Sequence, residues 1–193
     1  MYKNYLKRIM DFIIALIAIP LVLLIIVIMS PIIYFNDKGP VFYNAPRLGM
    51  NGKKFKMLKF RSMYINSPDL RNSDGSTFNS SNDPRVTKVG KFMRKTSLDE
   101  LPQLINILKG DISVVGPRPV MDVETKIYGN YRDMLLSVKP GLTGFWAANG
   151  RSATTYTRRR AMEIYYVKNR SVLLDLKIIF KTFISVFKRV GAV

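Results

Sequence analysis

Asp99 and Glu100 are the side chains whose types and spacing point most directly to chemistry. They stand in the stretch TSLDELPQL, and they are the only adjacent acidic residues in a chain with 31 Lys and Arg against 13 Asp and Glu. A carboxylate can attack a phosphorus atom to form an acyl phosphate, which divides one transfer into two steps. A neighbouring carboxylate can hold Mg²⁺, which neutralises phosphate oxygens that would repel the attacking group. The pair therefore suits phosphoryl transfer.

The same stretch also has a structural interpretation. Ser97-x-x-Glu100 fits a capping box, in which Ser97 caps the first amides of a helix and Glu100 reaches back to the cap. Asp99 in the first turn would complement the helix dipole, and the helix N-terminus would lower the pKa of that carboxylate and attract phosphate. The sequence leaves capping and catalysis open as alternatives.

Phosphoryl transfer also needs cations that hold the phosphate oxygens. Arg118 is the distinctive candidate because Pro117 and Pro119 fix its backbone on both sides, which suits a preorganised anion clamp. Each of the others, taken alone, is better explained as a solvated surface charge. The candidate cations are Lys59, Arg61, Arg85, Arg94, Arg118 and Arg151.

Composition restricts the chemistry further. The chain of 193 residues contains no Cys and no His, which excludes disulfides, thiolate catalysis, Cys/His zinc sites and every triad with an imidazole base. Any metal needs oxygen ligands, as Mg²⁺ prefers. The net charge of +18 implies an anionic partner, which could be nucleic acid, an acidic membrane surface or a phosphorylated substrate.

The N-terminal region carries a membrane segment. Residues 12–35 are 24 residues without a charge, which is long enough to span a bilayer. Pro20 and the pair Ser30-Pro31 interrupt this run, and the Ser30 hydroxyl could supply a donor for a freed carbonyl. Basic residues flank both ends, which favours the cytoplasmic side for both. We predict a broken, re-entrant helix, with a proline-kinked span as the alternative.

The remaining elements are read from apolar periodicity and turn residues. We predict a strand in 55–63 after a turn, a helix over 97–109 closed by Gly110, a strand over 112–115 and helices over 120–138 and 156–168. Residues 66–84 form a polar surface loop and a candidate substrate lid, and 139–151 is irregular. Residues 173–190 form an amphipathic helix with a Phe-rich face, which either lies at a membrane interface or packs on the core.

The order of the motifs carries a family resemblance. RVTKVGKFMRKTSLDELPQLINILKGDISVVGPRP, VKPGLTGFWAANGR and YYVKNRSVLLDLKIIFKT, together with KRIMDFIIALIAIP and PVFYNAPRLGMNGKKFKMLKFRSM, resemble the bacterial sugar transferase family of monotopic phosphoglycosyl transferases. The resemblance implies an α+β, predominantly helical fold. Residues 1–36 would form a re-entrant membrane helix, and residues 37–193 a small cytosolic catalytic domain with interfacial helices.

The resemblance also implies a reaction. Such enzymes transfer a sugar-1-phosphate from a UDP-sugar to a polyprenol (undecaprenyl) phosphate and release UMP, at the cytoplasmic face of the bacterial inner membrane. Asp99 matches the nucleophile that forms a phosphosugar-aspartyl intermediate, and Glu100 matches its partner, which helps to bind Mg²⁺. Ser30-Pro31 matches the helix break. Arg94 matches a residue near the polyprenol phosphate, and Pro117-Arg118-Pro119 with Arg151 match the nucleotide-sugar pocket.

The expected partners follow from this resemblance. They are a UDP-sugar, polyprenol phosphate and anionic lipids of the inner leaflet, and no nucleic acid is expected. The sequence does not fix the oligomeric state, and a homodimer is one possibility. One departure concerns Ala147, where many relatives have Gln, next to Trp146, which could stack on a ring or anchor the interface. A nucleic-acid binder or a membrane scaffold would leave Asp99-Glu100 unexplained.

Overall fold

The computed structural model describes residues 2–70, 78, 80, 83–150 and 154–187, so the candidate Arg151 lies outside the described residues. Helices dominate, with two small sheets, as expected for a predominantly helical α+β chain. The helices are α1 (Lys7–Asp37), α2 (Lys88–Thr96), α3 (Gln103–Lys109), α4 (Arg132–Leu136), α5 (Phe145–Ala148), α6 (Tyr156–Asn169) and α7 (Val172–Phe187). The strands are β1 (Phe42–Leu48), β2 (Lys54–Phe60), β3 (Ser113–Val115) and β4 (Gly141–Thr143). Shorter helical turns occupy Tyr2–Leu6, Met50–Gly52, Leu98–Glu100 and Asp122–Tyr131.

Helix α1 presents one narrow stripe to the rest of the protein. Its buried residues are Asp11, Ala15, Val22, Met29 and Ile33, which recur at helical spacing along a single face. Ala15 and Val22 join the main apolar core with α3, β3 and α7, and Met29 and Ile33 join a second cluster with β2 and α2. Large apolar side chains cover the other faces and are exposed. The helix therefore supports the core on one side and offers an apolar surface on the others.

The predicted break at Ser30-Pro31 is not seen, because α1 is continuous from Lys7 to Asp37 through both Pro20 and Pro31. Pro31 removes the donor for the carbonyl four residues earlier, that of Val27. The Ser30 hydroxyl does donate to a carbonyl, at 2.6 Å, but the acceptor is Ile26. Two isolated prolines thus cost single hydrogen bonds without ending a helix of this length.

Both ends of α1 are fastened to the same folded unit. Near the N-terminus, Arg8 donates to the carbonyls of Ile107 and Leu108 at the C-terminal end of α3, at 2.5 and 2.9 Å. At the C-terminus, Asp37 accepts from the Arg61 guanidinium at 2.6 Å and from the Ile65 amide at 2.8 Å. The polar contacts at the two ends bring the helix alongside the core.

The hairpin β1–β2 is antiparallel and turns at Met50–Gly52, where Asn51 and Gly52 have positive φ angles. The predicted turn is therefore present, and β2 covers the first part of the strand predicted in 55–63. Asn106 in α3 holds β2 from its free edge. Its side-chain oxygen accepts from the Leu58 amide at 2.9 Å, and its amide group donates to the Lys56 carbonyl at 3.0 Å and to Asp111 at 2.9 Å. These bonds fix β2, and the residues that follow it, against α3.

Two predicted helices are divided in the structure. Pro102 has no N–H to reach the Leu98 carbonyl, so the Leu101 amide takes that carbonyl at 3.2 Å. The stretch 97–109 therefore becomes a tight turn followed by α3, which ends at Gly110 with φ 88° as predicted. The stretch 120–138 is interrupted by Gly129, whose φ of 49° and ψ of −128° are not helical.

Three sequence predictions of elements are confirmed. The strand over 112–115 is β3, which pairs with β4 in parallel, and the helix over 156–168 is α6. The C-terminal helix is α7, described to residue 187, and one of its faces packs on the core, as one of the two alternatives for that segment expects. Asp175 and Ile178 face the core, while Phe180 and Phe183 are exposed on another face.

Candidate active site

Asp99 lies in the tight turn Leu98–Glu100 that joins α2 to α3. Ser97 ends α2 in the left-handed conformation, with φ 58°, and its side chain makes no capping hydrogen bond. The predicted capping box is therefore wrong, because a capping residue needs extended backbone to place its hydroxyl over the first amides. Thr87 does cap α2, accepting from the Gly90 amide at 2.9 Å. The turn thus serves to place the two acids.

Burial sets the electrostatics of Asp99. The residue is only 8% exposed, and this burial is the main reason that the pKa of its carboxyl rises from 3.8 to about 6. Lys59 opposes the rise in pKa, Glu100 adds to it, and Arg94 opposes it. The predicted lowering of this pKa by a helix N-terminus is wrong, because desolvation outweighs the dipole of so short a turn. At neutral pH the carboxylate is still ionised, and it is a stronger base than an ordinary aspartate.

Lys59 is the cation placed against the acidic pair. It stands at the end of β2, and its Nζ lies 2.7 Å from the Glu100 Oε1. The hydrogen bonds from Asn106 to β2 help to fix where Lys59 lies, because one of the bonded residues, Leu58, directly precedes Lys59. The strand, the turn and α3 therefore define the relative position of Lys59 and Glu100.

Arg94 adds a second cation near Asp99. Its Nε donates to the Ser62 hydroxyl at 3.0 Å, just beyond β2. Burial lowers the pKa of the Arg94 guanidinium, and the negative charge of Asp99 partly restores that pKa. The close approach of α2 depends on Gly90, where an added Cβ would lie 1.9 Å from the Ser62 carbonyl oxygen. The structure thus brings together Asp99, Glu100, Lys59 and Arg94.

Arg118 belongs to a different cluster, built from α5 and α6. Its guanidinium lies 5.7 Å from the centre of the Trp146 ring, and that of Arg159 lies 4.7 Å from the same centre. The buried Glu163 accepts from the Arg118 amide at 3.2 Å and from the Tyr128 hydroxyl. The turn Pro117-Arg118-Pro119 is therefore held rigidly beside an aromatic ring.

The sequence did not single out Arg159 or Glu163 in this cluster. The two residues lie four positions apart on α6, a spacing that puts their side chains on one helical face, with Arg159 Nε 3.5 Å from Glu163 Oε1. This spacing is the one feature of the sequence that could have indicated the pair. It does not distinguish a buried pair from the surface pairs that are common on basic helices.

Two predicted substrate-binding arginines are engaged within the protein. Arg85 is buried against Asp83, with Nη2 2.6 Å from Oδ2, and it also donates to the carbonyls of Pro68 and Phe78. Arg61 is buried and paired with Asp37 at the end of α1. Arg85 thus holds together Pro68, Phe78 and Asp83 from the described part of the segment 66–84, and Arg61 holds the C-terminal end of α1.

A magnesium ion fits Asp99 and Glu100 only as a partial ligand set. Among the described residues there is no group of three or more acidic side chains that could hold a metal ion by itself. Mg²⁺ commonly takes one or two carboxylates and completes its shell with water and substrate phosphates. Two adjacent carboxylates are compatible with that kind of site.

Comparison with known proteins places these features in a family context. The family model described as bacterial sugar transferase matches residues 2–189. The UDP-galactose-lipid carrier transferase of Erwinia amylovora is 43% identical over 201 residues, which cover 98% of this chain and 42% of that protein. The undecaprenyl-phosphate galactose phosphotransferase of Salmonella typhimurium is 41% identical over 207 residues, covering 98% and 42%. The exopolysaccharide production protein ExoY of Sinorhizobium fredii is 41% identical over 187 residues, covering 91% and 83%. The chain thus spans less than half the length of the first two relatives.

Proposed function

The chain belongs to the bacterial sugar transferase family, and we propose that it transfers a sugar-1-phosphate from a UDP-sugar to a polyprenol phosphate, with release of UMP. The names of two relatives refer to UDP-galactose and to undecaprenyl phosphate, which supports both substrates. The observation that carries the proposal is the buried Asp99 carboxylate, next to Glu100 and within the electrostatic reach of the positive charges of Lys59 and Arg94.

The first step is attack by Asp99 on the phosphorus that bears the sugar. A bond forms between a carboxylate oxygen and this phosphorus, and the bond from the phosphorus to the bridging oxygen breaks, so that UMP leaves with the electron pair. The phosphosugar is then held on Asp99 as an acyl phosphate. Burial makes the carboxylate more basic, because water no longer stabilises its charge, and this increases its reactivity toward phosphorus.

The second step transfers the phosphosugar to lipid. An oxygen of the polyprenol phosphate attacks the same phosphorus, and the bond to Asp99 breaks, which gives the polyprenol diphosphate sugar and restores the carboxylate. Both partners are anions, so cations must offset their repulsion. Lys59 pairs with Glu100, Arg94 acts on the charge of Asp99, and Arg94 is oriented by its bond to Ser62.

Mg²⁺ is the proposed cofactor. Asp99 and Glu100 would hold it, and it would neutralise charge on the diphosphate. Lys59 keeps Glu100 in place by its ion pair. The Arg118 guanidinium and the Trp146 ring, held by Glu163 and Arg159, would bind the phosphates and a ring of the nucleotide sugar.

We place the enzyme at the cytoplasmic face of the bacterial inner membrane. The exposed faces of α1 are apolar over a length that could cross a bilayer. Contacts along the whole of α1, from Arg8 to Asp37, with one folded unit support a re-entrant arrangement, because a simple span would carry that polar unit into the hydrocarbon core beside it. The charge of +18 favours an anionic leaflet.

Trapping of the intermediate tests the proposal. Purified enzyme is incubated with UDP-galactose labelled at the sugar-bearing phosphorus, without lipid, and the label should remain on the protein. Added undecaprenyl phosphate should move that label to lipid. Asp99→Asn should lose both labelling and UMP release, while Asp133→Asn, the same change at an exposed carboxylate, should retain them. Full UMP release by Asp99→Asn would refute the covalent mechanism, and a panel of other UDP-sugars would identify the donor.

A further inference from the structure

Asp11 is a buried carboxylate in the first turns of the long apolar helix α1, and it is only 4% exposed. A buried carboxylate is costly unless hydrogen bonds satisfy it. Its Oδ2 accepts from the Ser113 hydroxyl at 2.7 Å, and its Oδ1 accepts from the Val114 amide at 3.0 Å. Lys7, one helical turn earlier, lies 3.9 Å from Oδ1. Asp11 is therefore bound to β3 through both of its oxygens.

Strand β3 is short and needs such support. It is three residues long and belongs to a two-stranded sheet, which is marginal on its own. The Ser113 amide donates toward β4, to the Pro140 carbonyl at 2.8 Å. Amides alternate in direction along a strand, so the next one, that of Val114, points to the opposite edge, where Asp11 accepts it. Asp11 thus accepts the hydrogen bond of the Val114 amide, on the edge of β3 that does not face β4.

The C-terminal end of β3 leads directly into the turn Pro117-Arg118-Pro119. The Gly116 amide donates to the Thr143 carbonyl at 2.9 Å, and the Pro117 carbonyl accepts from the Gly141 amide at 2.8 Å. An added Cβ at Gly116 would lie 2.6 Å from backbone atoms of Lys139 and Gly141, so the two segments are in close backbone contact. A displacement of β3 would therefore move the turn.

A second link joins the same helix to the same strand. The Tyr166 hydroxyl lies 3.0 Å from the Val115 carbonyl oxygen and 2.8 Å from Asp175 Oδ1. Lys7 in α1 donates to the other oxygen of Asp175 at 2.6 Å. Lys7 thus stands between the two buried carboxylates, Asp11 and Asp175, and compensates their charge.

We propose that Asp11 is a positioning residue, through which the membrane helix α1 holds β3 and so fixes the Pro117-Arg118-Pro119 turn for binding of the nucleotide sugar. On this view α1 is part of the framework of the nucleotide-sugar site as well as a membrane anchor. The inference rests on the proposed function for the identity of the ligand, and on the hydrogen bonds alone for the coupling of helix to strand.

Steady-state kinetics of Asp11→Asn and Ser113→Ala test the functional part. Asp11→Asn replaces one of the two acceptor oxygens by a donor, so the two bonds to β3 cannot both be kept, and Ser113→Ala removes the hydroxyl that donates to Asp11. The expected result for each is a KM for the UDP-sugar raised by about 10- to 100-fold, as a displaced binding group can cause. The KM for undecaprenyl phosphate should not change. A mere loss of stability would reduce the amount of active enzyme, and so Vmax, without raising either KM. Asp133→Asn is the matched control, since that carboxylate is almost fully exposed.

Hydrogen exchange of the same variants tests the coupling without turnover. Asp11→Asn should accelerate exchange in residues 113–119, while residues 54–60 should exchange at the wild-type rate. Ser113→Ala provides the same comparison if Asp11→Asn fails to fold. Unchanged exchange in 113–119, or equal rises in both KM values, would overturn the inference. If wild-type enzyme releases no UMP from any UDP-sugar, the proposed function fails, and the exchange result decides the coupling alone.

Discussion

Replacing Asp99 by Asn should abolish transfer and at the same time stabilise the protein at neutral pH. The folded protein holds this carboxyl with a pKa of about 6, against 3.8 for the unfolded chain, chiefly because burial disfavours the charge. The folded state therefore binds the proton more tightly than the unfolded state. The Asn side chain resembles the protonated acid, and so it avoids the cost of an ionised group at this position.

The magnitude and its pH dependence follow from that difference in pKa. Below about pH 3.8 both states are protonated, and the substitution should change the free energy of unfolding little. Between pH 3.8 and 6 the unfolded wild-type chain ionises while the folded protein does not, so the wild type loses stability as the pH rises. At about 1.4 kcal/mol for each unit of pKa, the loss reaches about 3 kcal/mol above pH 6. Asp99→Asn is spared this loss.

Thermal unfolding of the two proteins in the same detergent, at pH 4 and at pH 7.5, measures the effect. For a chain of this size, about 3 kcal/mol corresponds to a Tm higher by roughly 6 to 12 °C at pH 7.5, and by much less at pH 4. Asp133→Asn, with its side chain 94% exposed, should leave Tm unchanged at both pH values. A Tm difference between wild type and Asp99→Asn that does not depend on pH would refute the reasoning.

Three further predictions concern the support of the site. Asn106→Ala should destabilise the protein by roughly 2–5 kcal/mol in chemical unfolding, because it leaves the partly buried Leu58 amide and Lys56 carbonyl of β2 without the partner that they share. It should also lower UMP release per folded molecule by moving Lys59, and wild-type release would argue against that positioning. Arg85→Met should lower the free energy of unfolding by roughly 3–5 kcal/mol, because it breaks a buried ion pair with Asp83. The kinetics per folded molecule should match those of the wild type, whereas a raised substrate KM would support the predicted binding role of Arg85. Chelation with EDTA should stop UMP release and added Mg²⁺ should restore it, and release that persists in EDTA would contradict the metal role.

Several features of this protein could be predicted from the sequence because they depend on residue type and spacing. Phosphoryl transfer could be predicted from residue types alone. The evidence is the adjacent acids Asp99 and Glu100, the absence of His and Cys, and the prolines on both sides of Arg118. The uncharged run of residues 12–35 predicts a membrane helix, since its length alone matches a bilayer. The order of these motifs along the chain was sufficient to indicate the family.

Other features arise only when distant segments meet. The pKa of Asp99 rises because the folded chain buries it, and its neighbours Lys59 and Arg94 come from a different strand and helix. The apparent capping box of Ser97 fails because α2 ends there in a left-handed turn. Arg85 looks like a free cation in the sequence, yet the folded chain pairs it with Asp83. The sequence determined which groups could react, and the tertiary structure decided their partners and their charge, because burial and distance are properties of the fold.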